Sequence, residues 1–293
     1  MDNTRVKRRA RIALALAGGT ALTAMVAQIP ASATGGSAAP HHAAGAAAAQ
    51  QSSRSAGAAG DRSYDDTYYK DAIGKTGQAL KDSLHQIISS TQTGKLTYDQ
   101  VWDALKETDQ DPDNSANVIL LYTGRSQSKD ANGGNPDDWN REHVWAKSHG
   151  DFGTDTGPGT DIHHLRPEDV SVNSIRGNKD FDNGGTKVEE APGNLSDDDS
   201  FEPRDAVKGD VARMILYMAV RYDGGDGFPD LEPNDKVDNG TQPHIGRLSV
   251  LKKWSDEDPP DAFEKHRNQV IFDKFQHNRN PFIDHPEWVG KIW

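Results

Sequence analysis

The sequence predicts an α+β fold, mostly helical, in a single domain with a small β element. Two observations predict it. Apolar residues recur at helical spacing over long stretches, while strand-like runs are few and short. No internal repeat breaks the chain into units, and its 293 residues, 34% of them hydrophobic, suit one large core.

Taken in order, the first segment is a leader. Arg5, Lys7, Arg8, Arg9 and Arg11 precede an apolar stretch from Ile12 to Ala27, and Ala31-Ser32-Ala33 fits a small-x-small cleavage site. Residues 1–33 therefore read as a signal peptide and 34–61 as a disordered Ala/Gly/Ser-rich linker. The folded domain is expected over 62–293. Within it, Ala72, Ile73, Leu80, Leu84, Ile87 and Ile88 predict a helix over 68–89, and Tyr98, Val101, Trp102 and Leu105 a second over 96–105 with Thr97 as its N-cap. Val118 to Thr123 is β-rich and ends at Gly124. Residues 142–145 and 162–165 are short strands, Pro167 ends the second, and a helix is expected over 168–181. Further helices are expected over 205–220, with Val207, Val211, Met214, Ile215, Met218 and Ala219 on one stripe, and over 245–254 and 261–275. The tail from Asn278 reads as irregular, and Asn278, Asn280, Pro281 and Asp284 as a turn fastening the C-terminus.

Composition narrows the function. The chain has no cysteine, which excludes disulfides, thiolate nucleophiles and thiolate zinc sites. It carries 33 Lys+Arg against 45 Asp+Glu, and loss of the leader makes the remainder more acidic still. Tight nucleic-acid binders show a basic footprint, so the balance argues against a DNA-binding module. It argues less against a nuclease, which needs only a local basic groove and a divalent cation. No apolar run after the leader is long enough to span a bilayer, so no membrane partner is expected.

Chemistry concentrates between Trp139 and Asn178. Asn140-Arg-Glu-His-Val-Trp-Ala-Lys-Ser148 is followed by Asp161-Ile-His-His-Leu-Arg-Pro167 and Val172-Asn-Ser-Ile-Arg-Gly-Asn178. Phosphodiester hydrolysis needs a nucleophilic water, charge stabilisation on phosphate and help for the leaving oxygen. A neutral imidazole can take the proton, and His143 is the candidate. Mg2+ keeps most of its waters and needs one or two protein oxygens, which Glu142 and Asn173 can supply. Arginine matches a phosphate fork, so Arg176, one turn after Asn173, and Arg166 are candidate substrate contacts. One geometric objection stands: adjacent residues on a regular strand face opposite ways, so Glu142 and His143 reach one site only if the strand ends, twists or bulges. Each residue also has a structural reading: a half-buried histidine, a capping asparagine, an arginine paired with Asp169, Glu168 or Asp180.

These motifs, with Tyr68-Tyr-Lys-Asp-Ala-Ile-Gly-Lys-Thr-Gly77, Leu121-Tyr-Thr-Gly-Arg125 and Gln276-His-Asn-Arg-Asn-Pro-Phe-Ile-Asp-His-Pro-Glu287, resemble the endonuclease I family, secreted or periplasmic non-specific nucleases with a ββα-metal, or His-Me finger, site. The resemblance runs from about Tyr68 to the last residue. It implies a secreted endonuclease cutting DNA to 5′-phosphate ends, with RNA also open as substrate. It implies His143 as general base, Glu142 and Asn173 as metal ligands, and His164 as a contact to substrate or water. The implied ion is Mg2+, with Mn2+ or Ca2+ able to occupy the site. The chain departs from the family at Ala146, where many members have proline. It also has no arginine in residues 144–160, where some relatives hold the product phosphate; Lys147 is the only lysine there, and Arg166 and Arg176 are the candidates for that role.

Two other readings stay open on the residues alone. One is a zinc hydrolase using His143, His163 and His164. The other is a non-catalytic secreted protein whose acidic loops, Asp109 to Asp113 and Asp223 to Asp235, hold Ca2+. A structural Ca2+ in those loops is also an expectation for a domain without disulfides.

Overall fold

The apolar stripe expected over 205–220 becomes the central helix of the fold. In the computed structural model, which describes Tyr64 and residues 67–293, a 3-10 turn over Asp205–Val207 leads into a helix at Lys208–Arg221 whose residues from Gly209 onward are all buried. It is covered on every side rather than along one stripe, because its polar members Asp210 and Arg213 are paired with other buried charges. The signal peptide and linker expected over 1–33 and 34–61 lie outside the described residues.

In chain order, α1 is Gly77–Thr91, later than the expected start because the chain turns through Gly74 at a positive φ of 79°. α2 is Tyr98–Thr108, and its start is fixed as expected: Thr97 accepts from the Gln100 N–H while the Gln100 side chain accepts from the Thr97 N–H. β1 (Asn117–Ile119) pairs antiparallel with β2 (Ser126–Ser128). The β-rich run thus leaves the ladder after Ile119, and Leu121 and Tyr122 are instead tied to the Pro167 carbonyl and the Glu168 carboxylate. β3 (Trp139–His143) pairs antiparallel with β4 (Leu165–Asp169), His143 opposite Leu165 and Glu142 opposite Arg166. Pro167 does not end β4. It sits in a two-stranded ribbon, where one side of the strand needs no ladder donor. α3 is correspondingly short, Val170–Arg176. Asp169 caps it by accepting from the Ser171 and Val172 N–H groups, and Gly177, at φ 59°, closes it with its N–H on the Asn173 carbonyl.

Beyond α3 a four-stranded sheet gathers β5 (Asp180–Phe181), β6 (Thr186–Lys187), β7 (Leu195–Ser196) and β8 (Ser200–Glu202). The central helix is α4. After it, Glu232–Pro233 and His244–Ile245 form a parallel pair, β9 and β10. α5 runs Leu248–Glu257, three residues later than expected. α6 runs Ala262–Val270 from an Asp261 cap and continues as a π turn over Ile271–Phe275. The tail is more ordered than its sequence suggests, with short helices at Pro281–Asp284 and Val289–Ile292. Its turn does fasten the C-terminus: Arg279 is forked onto Asp284 at 2.6 and 2.7 Å, and Asn280 caps the first short helix.

A large core surrounds α4, and a smaller one of Val101, Leu105, Val118, Leu120, Trp139, Ile162, Leu165 and Ile271 lies under the ribbon. The fold is α+β as expected. The ribbon is held from below by apolar packing and flanked by α2 and α3, so its free edge is presented rigidly to a cleft.

Candidate active site

The cleft, about 320 Å³, lies where β3 ends, between α2 and the α3 terminus. Its lining includes Tyr98, Asn140, Arg141, Glu142, His143, Lys147, Asn173 and Arg176. Four of those are consecutive in β3, which answers the objection raised by strand alternation. β3 has one ladder partner, β4, so its other edge is open along these residues. A cleft along an open edge is lined by side chains from both faces of the strand, and no bulge is needed. Glu142 reaches toward Tyr122 and Arg176, whereas His143 lies against Tyr98 and His164.

His143 is buried and oriented by backbone. Its Nε2 lies 3.0 Å from the Gly159 carbonyl oxygen. A carbonyl can only accept, so Nε2 carries the hydrogen and Nδ1 keeps a lone pair with no protein donor among the described residues. Burial, with the His164 ring alongside, pushes the imidazole down to about 3, so the ring is neutral throughout the physiological range. The approach of Gly159 depends on its lack of a side chain: a Cβ there would fall 2.5 Å from the Gly153 carbonyl oxygen. Glu142 is wholly buried. Tyr122 donates to its Oε1 at 2.8 Å, and Arg176 Nη1 stands 3.2 Å from the same atom. Burial raises the carboxyl above its usual range, and Arg176 opposes that shift. Asn173, on α3, donates through Nδ2 to the Asn140 side-chain oxygen at 2.6 Å.

Glu142 and Asn173 therefore each keep one oxygen, Oε2 and Oδ1, that no side-chain donor among the described residues holds. Two free oxygen donors on one cleft suit a hard, hydrated divalent ion. Among the described residues no three His, Asp or Glu side chains come together as a metal cage. The two acidic loops accordingly gather no calcium-binding trio, and Asp109 is buried against Arg166 and Arg267.

Three expected site residues are placed differently from expectation. Arg166 does not reach the cleft: it is fully buried, with Nε on Asp109 at 2.5 Å and Nη1 3.4 Å from Asp210. His164 is also fully buried and touches no substrate space. It accepts the Trp145 N–H at Nδ1 and donates from Nε2 to the Pro158 carbonyl at 2.7 Å, so it pins the turn that presents Gly159 to His143. Arg176 lines the cleft, but its Nη1 is on the His143 carbonyl at 2.9 Å and its Nη2 on the Val144 carbonyl at 2.7 Å. It braces the end of β3 rather than offering a free fork. The zinc set does not assemble either, because His163 turns away to Asn278 and Tyr217. Sequence reasoning passed over Tyr98, Asn140 and Arg141. A signal existed for Arg141, since period-two alternation puts it on the His143 face.

Residues 76–287 match the family model described as Endonuclease I. The chain is 67% identical over 228 residues, 78% of its own length and 78% of theirs, to two proteins named extracellular ribonuclease, from Bacillus amyloliquefaciens and Bacillus subtilis (strain 168).

Proposed function

The chain belongs to the Endonuclease I family and is a nuclease, a phosphodiester hydrolase; we propose that it is a secreted, metal-dependent, sequence-non-specific one that cuts RNA and DNA in the cleft at the end of β3. The observation that carries the reading is His143 itself, held in one tautomer by Gly159 with its Nδ1 lone pair free, in a cleft that Glu142 and Asn173 also line.

His143 takes a proton from the attacking water at Nδ1. The water oxygen bonds to phosphorus, the bond from phosphorus to the 3′ oxygen breaks, that oxygen takes a proton from solvent and leaves as a 3′-hydroxyl, and the other product strand keeps a 5′-phosphate. Low basicity of the buried ring is no obstacle at that moment, because an anionic phosphate in the cleft favours imidazolium and lifts its proton affinity. Arg176 keeps the His143 carbonyl and the Glu142 carboxylate in place while His164 keeps the Gly159 turn in place. Glu142 and Asn173 would hold Mg2+, and Mn2+ or Ca2+ could occupy the same two oxygens. An ion held there would supply neutralisation of charge on the phosphate oxygens.

RNA is put forward as a substrate because the relatives bear the name ribonuclease. DNA is kept beside it because water, not a ribose 2′-hydroxyl, is the nucleophile. The relatives' name, the N-terminal leader pattern and the absence among described residues of a helix able to cross a membrane are in keeping with secretion. Incubation of the purified protein with a structured RNA and with supercoiled plasmid, in Mg2+ and in EDTA, tests the reading. Both substrates should be degraded in Mg2+ to 5′-phosphate ends and neither in EDTA. Cleavage of RNA in EDTA with 2′,3′-cyclic ends would overturn the water mechanism, and intact plasmid in Mg2+ would remove DNA from the substrates.

A further inference from the structure

The cleft described above has a cation whose partner is missing. Arg141 lies two residues before His143 in β3 and lines the same cleft. Its guanidinium carbon stands 3.4 Å from the centre of the Tyr98 ring and 4.1 Å from that of Trp102. Nη1 donates to the Tyr98 carbonyl, whereas the buried Nε has no hydrogen-bond partner. No carboxylate lies within ion-pair distance among the described residues, unlike the situation at Arg166, Arg213 and Arg267. The two rings fix the guanidinium plane and remove most of its rotamer freedom, so little entropy remains to be lost when an anion arrives. Tyr98 also ties this cation to the base, its ring stacked on that of His143 at 5.8 Å and 28°.

A half-buried guanidinium with an open donor in a cleft suits an anion that presents two acceptor oxygens, and the non-bridging oxygens of a phosphodiester fit its fork. We propose that Arg141 is the phosphate-binding residue of the cleft, gripping the backbone of the bound strand next to His143. It rests on the reading of the cleft as the nuclease site and adds the substrate contact that the committed forks of Arg166 and Arg176 cannot make. The contact is to a phosphodiester common to RNA and DNA, so it carries no preference between them.

The test is the salt dependence of binding. A fluorescein-labelled single-stranded RNA and the DNA of the same sequence are titrated with protein in EDTA by anisotropy, over a range of NaCl concentrations. The proteins are the native one, Arg141→Gln, Arg141→Lys and the surface control Lys274→Ala. Cleavage of the same strands is followed separately in Mg2+. Neutralising one phosphate contact changes the slope of log K against log salt by about 0.7 for single strands. Arg141→Gln should lose about that much slope on both RNA and DNA, with affinity at low salt falling about tenfold or more. Arg141→Lys should keep the slope while binding more weakly, because charge is retained and the fork is lost. Lys274→Ala should match the native protein. An Arg141→Gln slope equal to native, whatever happens to its melting temperature, overturns the assignment and leaves Arg141 as a pin between α2 and β3. Loss of slope on only one of the two strands overturns the claim that the contact is to a shared phosphodiester. If the native protein binds but does not cut in Mg2+, the reading of the cleft fails while the slopes still decide Arg141. If it binds neither strand, both fail.

Discussion

Two regions of this molecule are built from the same residue types and do opposite things. On one side of the ribbon, Asp109, Asp210 and Glu264 are buried with Arg166, Arg213 and Arg267, and every one of those charges has a partner of opposite sign. At the open edge of β3, Glu142 keeps a free oxygen, His143 a free nitrogen and Arg141 free donors. The first region is closed: its charges hold α2, β4, α4 and α6 together. The second is incomplete and calls for a ligand. The lesson concerns arginines above all. Arg166 and Arg176 stand in the motifs with carboxylate partners and their Nη groups on protein oxygens; Arg141 stands in the same motif with one Nη on the Tyr98 carbonyl and no carboxylate within ion-pair distance among the described residues. Partner count in the folded chain, not proximity to a histidine in sequence, separates a brace from a binding group.

Substitutions in the two regions should therefore part stability from activity. The largest stability effect is expected at the closed region. Asp109→Ala takes the carboxylate partner from buried Arg267 and leaves buried Arg166 only the longer contact to Asp210, and loss of one partner from a buried pair costs about 3–5 kcal/mol. The melting temperature should fall by roughly 10 °C, while cleavage per folded molecule at low temperature stays near native. Normal melting with lost activity would break the comparison.

At the open region Asn173→Ala should do the reverse. Its melting curve should be close to native, and the Mg2+ concentration giving half-maximal cleavage should rise by about 10-fold or more, by analogy with the loss of groups that orient a metal ligand. An unchanged Mg2+ response would remove Asn173 from the proposed metal ligands.

A third variant sits at the boundary between the two regions. Glu168 accepts the Tyr122 N–H, one of its oxygens is unpartnered, and burial lifts its carboxyl to about 8. A carboxyl whose folded value lies above its unfolded value of about 4.3 stabilises the fold least at high pH. Stability should fall as pH rises from about 5 to 8, and Glu168→Gln should flatten that fall in denaturant titrations. An unaltered pH dependence would show that Glu168 is already ionised in the native protein. The smallest effect belongs to the surface. Lys274→Ala breaks an exposed pair with Glu107 at 2.6 Å and should cost under about 1 kcal/mol with no change in cleavage.

How legible this was in the sequence depended on the range of the interactions involved. Local chemistry read well: the Thr97 capping box, the stripe of α4 and the order strand, loop, strand, helix around the site are set by neighbours a few residues apart. Element ends read less well. Pro167 looked like a strand terminator because its tolerance at the edge of a two-stranded ribbon is a property of the sheet, not of the residue. The α3 boundary is set by Asp169 and Gly177, both visible in the sequence, whereas the expected helix over 168–181 started at the residue after Pro167 and ran past Gly177. The catalytic candidates were legible as types and positions, whereas their partners were not: Arg166 is claimed by Asp109 from 57 residues away, and Gly159 reaches His143 from 16. The adjacency of Glu142 and His143 looked like a conflict only because an open edge cannot be read from a strand's own sequence.

The proposed mechanism rests most on His143 acting as the base at that open edge. Single-turnover cleavage of a labelled RNA strand and a labelled DNA strand by His143→Ala, with and without added imidazole, measures this directly. Cleavage should fall by about 10²–10⁴-fold with strand binding and melting temperature retained, and imidazole should restore part of it. Cleavage by His143→Ala at the native rate would contradict the account.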